Sequence, residues 1–230
     1  MKTFAQIRRD IEKAYKKQAE LKNTQNTVIE EWANIADIKE RVEQKRAKAN
    51  EMCKLEQDIK DLGLTIQILN SNAKIALFAE CLPIALEILE KYSGKAYGEK
   101  TRSKISDEMQ AKTGCRLFIQ QSNYSNDTKL ALYPLNLSGY NIECGTSGKD
   151  RKEFLNVENK IQVVPLEDVK LYYDSNEYVE NVPKRIRELK KAREKAIQAQ
   201  SELEKACSDF NRLAVGSIEH IYTSKYIYNF

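Results

Sequence analysis

Apolar residues recur every seventh position through the first fifty: Ile7, Ala14, Leu21, Val28, Ile35, Val42 and Ala49. A half-step series, Phe4, Ile11, Gln18, Gln25, Trp32, Lys39 and Arg46, begins apolar and turns polar. A sustained 3.5-residue period sets one narrow stripe against a partner helix, which is the pattern of a coiled coil. Thr3 and Gln6 have capping-box spacing, which places the helix start at Thr3. No proline or glycine interrupts the chain before Gly63. The pattern therefore predicts one helix of about 60 residues, or ~90 Å at ~1.5 Å per residue, and its stripe needs cover along that length. The phase slips at Ala49, Met52 and Leu55, then resumes through Ile59, Leu62, Ile66 and Leu69.

Asn70-Ser71-Asn72 reads as a break or cap. A helix with apolar residues most of the way round follows (Ile75, Leu77, Phe78, Leu82, then Ile84, Leu86, Ile88 and Leu89 beyond Pro83), and such a helix is buried against several elements. Gly94 is its expected stop. A shorter amphipathic helix is expected from Thr101 to about Lys112, with Gly114 after it. The texture then turns to short β-rich runs: 117–119, 130–133, 140–144, 154–157, 161–164 and 169–173, separated by Asn, Asp, Ser, Gly and Pro. Runs this close, with no helices between them, predict an antiparallel sheet of three to five strands. Past Asp174 a second heptad ladder appears at Val182, Leu189, Ala196, Leu203 and Phe210, with Pro183 suited to a first turn.

These elements predict an α+β fold, mainly α. Long N- and C-terminal helices form an antiparallel coiled-coil stalk, and a small head holds helices and the sheet. The expected divisions are residues 1–70, 71–175, 176–216 and an aromatic tail, 217–230. Gln18 and Gln25 would meet Gln200 or Arg193 and fix the register. The competing arrangement is a parallel homodimer through residues 4–60.

Composition suits a rod with a small head: 41% of residues are apolar and 31% are charged. The net charge of +4 is too mild to single out a nucleic-acid binder. No apolar run approaches the ~20 residues that span a bilayer. The charged start lacks the apolar core of a signal peptide, so a cytoplasmic setting and no membrane partner are expected. Five widely spaced cysteines (Cys53, Cys81, Cys115, Cys144, Cys207) form no Cys-x-x-Cys pair and read as reduced thiols. His220 is the only imidazole, and no metal site or cofactor is assigned.

The segment Lys91–Lys104 is the nucleic-acid-binding candidate. Lys95, Lys100, Arg102 and Lys104 lie at a helix start that would attract phosphate, and the faces of Tyr92 and Tyr97 could stack on bases. The plainer alternative is a helix–loop–helix connector. Gly145-Thr146-Ser147-Gly148-Lys149 has the composition of a phosphate loop but not its spacing, and reads as a surface turn. Seven basic residues in Lys184–Lys195, against Glu188 and Glu194, would face either phosphates or solvent. The tail carries Tyr222, Tyr226, Tyr228 and Phe230, candidates for protein binding by strand addition; packing on the chain's own core is the alternative. No catalytic constellation is present: a Ser-His-acid arrangement would depend on His220, which has no nucleophile motif near it.

Leu89–Cys115, with Lys-Tyr-Ser-Gly-Lys-Ala-Tyr-Gly-Glu-Lys-Thr and Lys-Thr-Gly-Cys, resembles uncharacterised coiled-coil proteins encoded by phages and mobile elements of gut Firmicutes. The resemblance covers about 27 residues and brings no catalytic residues with it. It implies a bacterial host cytoplasm and an accessory role, including inhibition of a host defence nuclease in the manner of an anti-CRISPR protein. The sequence as a whole points to a non-enzymatic protein that binds a protein or nucleoprotein partner. The alternatives are direct DNA or RNA binding through residues 91–104, and a structural coiled-coil oligomer or phage assembly component.

Overall fold

The computed structural model describes residues 1–121, 127–135, 141–146, 153–171 and 177–213. The chain divides into two units, Met1–Val182 and Pro183–Phe230. In order the elements are α1 (Phe4–Ala33), α2 (Ile38–Lys91), α3 (Glu99–Thr113), β1 (Cys115–Gln121), β2 (Thr128–Pro134), β3 (Ile142–Thr146), a 3-10 turn (Leu166–Asp168), β4 (Val169–Leu171) and α4 (Val182–Leu213). The fold is α+β and mainly α, with a four-stranded antiparallel sheet, as the patterning predicts.

The first unit opens with a helical hairpin rather than a single rod. The expected capping box is present: Thr3 Oγ1 accepts from Gln6 N at 3.3 Å, and Gln6 Oε1 accepts from Thr3 N at 3.0 Å. The helix then stops at Asn34, well short of Gly63, and α2 starts after Asp37. Asp37 Oδ1 accepts from Lys39 N and Glu40 N, so a carboxylate caps the new helix without help from proline or glycine. Arg41 fastens the corner by donating to the carbonyls of Ala33 and Ile35, and Trp32 Nε1 donates to Arg41 O at 3.3 Å.

The two helices run antiparallel. Phe4 N donates to Glu80 Oε1 at 2.9 Å, Gln18 Nε2 reaches Ile59 O at 3.4 Å, and Lys48 Nζ sits 3.0 Å from Glu31 Oε2. Ile7, Ile11 and Ala14 pack on Ile66, Leu69, Ala73 and Ala76. The cover for the buried part of the N-terminal stripe is therefore α2. Gln18 likewise meets the α2 backbone, at Ile59 O. Val42 is 65% exposed, although it continues the ladder of the buried Ile7 and Ala14. The heptad phase crosses the 34–37 corner by coincidence of spacing, and the chain direction reverses there.

The expected break at Asn70-Ser71-Asn72 is also corrected: α2 runs through it. Asn72 is 2% exposed and spends both ends of its amide on the backbone of Val179. Its polar groups are satisfied outside the helix, so they do not compete with the helix's own bonds. Pro83 lies inside α2 and leaves one carbonyl without its usual helical donor, a loss that burial on both sides of it outweighs.

The C-terminal part of α2 is the floor of the main core. Leu77, Leu82, Ala85, Ile88 and Leu89 meet Ile105 and Met109 of α3 and the inner face of the sheet. Strand alternation aims Cys115, Leu117 and Ile119 inward, and Leu117 and Ile119 pair in register with Leu132 and Leu130. The other face carries Phe118 edge-on to Tyr133 at 5.6 Å. The strand order is β1-β2-β3-β4, a meander. The runs expected at 154–157 and 161–164 form only single bridges, Leu155 with Ile161 and Ala96 with Lys160. They fold over the core, where Phe154 is fully buried.

The second unit is described by α4. Along it Ile197, Leu203 and Phe210 are at least half exposed. Its polar side chains pair within the helix: Gln200 donates to Glu204 and Gln198 to Glu202.

Candidate functional site

The connector between α2 and α3 answers the nucleic-acid expectation residue by residue. Gly94 takes φ +76°, the left-handed conformation a helix stop requires, and its N–H donates to Ile161 O at 2.9 Å. Lys95 O accepts from Ile161 N, and Tyr97 N donates to Asn159 O at 2.8 Å. The connector is thus laced to the 156–161 turn and held as a fixed part of the fold. Tyr97 points inward and is 9% exposed. Its hydroxyl accepts from Ile119 N at 2.7 Å, and burial pushes its pKa up. A ring committed to the core has no face for a base, so Tyr97 is corrected from stacking residue to core residue. Tyr92 is half buried against the same core, and the Lys95 ammonium sits 5.0 Å from its ring centroid.

The cations of the connector remain outside. Lys95, Lys100, Arg102 and Lys104 are exposed. Among the described residues none of Lys100, Arg102 and Lys104 is within ion-pair distance of a carboxylate. Lys91 behaves differently: it lies 2.6 Å from Glu108 and 3.6 Å from Glu87, and Lys112 lies 3.0 Å from Glu87. The Glu108 hydrogen bond holds the Lys91 pKa above its usual value, and Lys112 holds Glu87 below the usual carboxylate range. That cluster joins α2 to α3 at the surface.

The basic run on α4 is partly paired. Arg185 pairs with Glu188 at 3.8 Å. Arg187, Lys191, Arg193 and Lys195 lie on exposed positions with no ion pair among the described residues. Alongside them runs the apolar stripe of Leu189, Ala196, Leu203 and Phe210, the last two 54% and 50% exposed. Of the glycine-containing segment, Gly145 and Thr146 belong to β3 and pair with Lys170 and Val169. Ser147, Gly148 and Lys149, the tail residues Tyr222, Tyr226, Tyr228 and Phe230, and His220 lie outside the described residues.

One feature escaped sequence reasoning. Cys81 of α2 and Cys115 of β1 are both buried, and their sulfurs lie 3.9 Å apart. They line a cavity of about 340 Å3 walled by Phe4, Leu77 and Ile84, with Glu80 and Lys112 also on its wall. The Cys81 hydrogen bond lowers the Cys115 thiol to about 7, and the same bond pushes the Cys81 thiol up. Cys144, a lone thiol in the core, is pushed up to about 12 by burial. The signal available in the sequence was local: Cys115 opens an alternating strand and Cys81 lies on an apolar helix face. Nothing in the sequence pairs them across 34 positions.

Among the described residues no helix is long and apolar enough to cross a membrane, and no three His, Cys, Asp or Glu side chains converge to hold a metal ion. Compared with known proteins, the chain matches no family model, no curated sequence and no solved structure.

Proposed function

We propose that this chain is a non-enzymatic interaction protein, and that α4 is the element that binds. The observation that carries this reading is the apolar stripe of α4, exposed at Leu203 and Phe210, with Arg187, Lys191, Arg193 and Lys195 exposed and without an ion pair among the described residues in the first half of the same helix. A seven-residue apolar repeat needs a partner helix to leave water, and these cations select one with acidic edge positions. The occupant is therefore an amphipathic, acid-flanked helix of a partner protein. The resemblance of residues 89–115 to phage-encoded proteins makes inhibition of a host defence nuclease the most concrete form of this reading, since a protein that occupies nucleic-acid surfaces by sterics needs no chemistry of its own.

The test is a titration of the full chain with two helical peptides that share a leucine seam and differ only in having glutamate or lysine at the flanking positions. Binding of the glutamate peptide alone, abolished by Leu203→Asp, is the expected result. Equal binding of both peptides, or of neither, overturns it. A concentration-dependent dimer that Leu203→Asp dissolves would replace the partner helix by a second copy of α4. Salt-sensitive binding to DNA or RNA that survives Leu203→Asp and is lost with Lys100, Arg102 and Lys104 would favour the nucleic-acid reading instead.

A further inference from the structure

The Cys81–Cys115 pair has no part in a binding role for α4. The two buried sulfurs lie 3.9 Å apart, within contact distance of each other. They also differ from Cys144, which sits alone, and from Cys53, which is exposed. What sets the pair apart is access. Both sulfurs line the cavity, and 340 Å3 holds several molecules the size of water at roughly 30 Å3 each.

We propose that Cys81 and Cys115 are a peroxide-reactive dithiol that closes into an intramolecular disulfide, with the cavity admitting the oxidant. The two partners have distinct roles. The sulfur–sulfur contact lowers the Cys115 thiol and raises the Cys81 thiol, which makes Cys115 the attacking sulfur and Cys81 the resolving one. Lys112, Thr113 and Gly114, which precede Cys115 in the chain, line the same cavity.

In the first step the Cys115 thiolate attacks hydrogen peroxide. The S–O bond forms, the O–O bond breaks, and hydroxide leaves and takes up a proton to become water. Cys115 is then a sulfenic acid. In the second step the Cys81 sulfur attacks the Cys115 sulfur, the S–S bond forms, and the sulfenic hydroxyl departs as water with the Cys81 proton. Two thiols and one peroxide give one disulfide and two waters, and two electrons pass from sulfur to peroxide oxygen. The sulfurs close from 3.9 Å to about 2.05 Å. The product ties α2 to β1 across the core.

The experiment treats the full chain with hydrogen peroxide, alkylates the remaining thiols under denaturing conditions and maps the peptides by mass spectrometry. The expected result is loss of two of the five free thiols and a cross-linked peptide pair containing Cys81 and Cys115. In Cys81→Ser the reaction halts at a Cys115 sulfenic acid that dimedone traps. Full alkylation of both cysteines at a peroxide dose that oxidises the exposed Cys53 overturns the proposal, and this arm needs only the wild-type chain. Dimedone capture at Cys53 ahead of Cys115 in Cys81→Ser counts equally against it.

Discussion

The side-chain amide of Asn72 pairs with the backbone of Val179 in both directions: Nδ2 donates to Val179 O at 2.8 Å, and Oδ1 accepts from Val179 N at 2.8 Å. One buried residue in the middle of α2 thereby anchors the segment that precedes α4, 107 positions further along the chain. Asn72→Leu leaves two backbone groups without their partner. Each buried unpaired group costs about 1–3 kcal/mol, so a loss of about 2–4 kcal/mol is expected from urea unfolding. A cost under about 0.5 kcal/mol would mean that the pairing carries no weight.

Ile11 and Val42 read alike in the sequence, as apolar positions on one rod. In the folded chain Ile11 is 4% exposed and Val42 is 65% exposed. Ile11→Ala is expected to cost about 2–4 kcal/mol, as for a buried aliphatic truncated to alanine. Val42→Ala should stay within about 0.5 kcal/mol. Equal costs would restore the single continuous helix.

Two glycines should respond with opposite signs. Gly63 lies inside α2, and a Cβ built there meets only Gln18 Nε2, at 3.8 Å, an ordinary contact. Gly63→Ala is expected to stabilise the chain by about 0.5–1 kcal/mol, because glycine carries an entropic cost within a helix. Gly114 holds φ +73° after α3. Gly114→Ala is expected to destabilise by about 1 kcal/mol, since that conformation brings a Cβ too close to the following carbonyl oxygen. Thermal melts of the two variants should move in opposite directions.

Tyr97 sets an alkaline limit. Burial raises its pKa above the ordinary 10.0, so the unfolded chain ionises first as pH rises. The stabilisation is complete below pH 10 and is lost as pH climbs through the raised folded value. Tyr97→Phe removes the acceptor for Ile119 N, at a cost of about 1–2 kcal/mol at neutral pH, and it should flatten this alkaline decline. An unchanged pH profile in the variant would place the decline elsewhere.

Leu203→Asp serves as a control on folding as well as a test of binding. At 54% exposure its change in stability should lie within about 0.5 kcal/mol by urea denaturation, so any loss of peptide binding belongs to the surface.

Much of the fold is legible in local chemistry. Thr3 with Gln6, Gly94 and Gly114 each satisfy or release backbone groups within a few residues, and the alternation of Cys115, Leu117 and Ile119 encodes its own inner face. What fails is information held between distant residues. The corner at 34–37 uses Asp37 as a cap and Arg41 as a clasp, two residue types common on any charged helix, while the heptad phase runs on undisturbed. Asn72 looks like a helix breaker until Val179 is beside it. Tyr97 looks like a surface aromatic until its hydroxyl meets Ile119. The Cys81–Cys115 contact is illegible for the same reason: each cysteine fits its own element, and only the docking of α2 on β1 makes them a pair. The exposed stripe of α4 was visible as a period but not as exposed, because periodicity says that a face is apolar and not what lies against it.

Trp32 is the chain's only tryptophan, and it sits at the α1–α2 corner with its indole N–H on Arg41 O. Along α1 that corner is about 40 Å from Phe4, where the helix meets the main core. Intrinsic fluorescence is therefore a local gauge. It will register the opening of the corner while the sheet stays intact, whereas far-ultraviolet dichroism follows the melting of every helix, so the two signals need not share a midpoint.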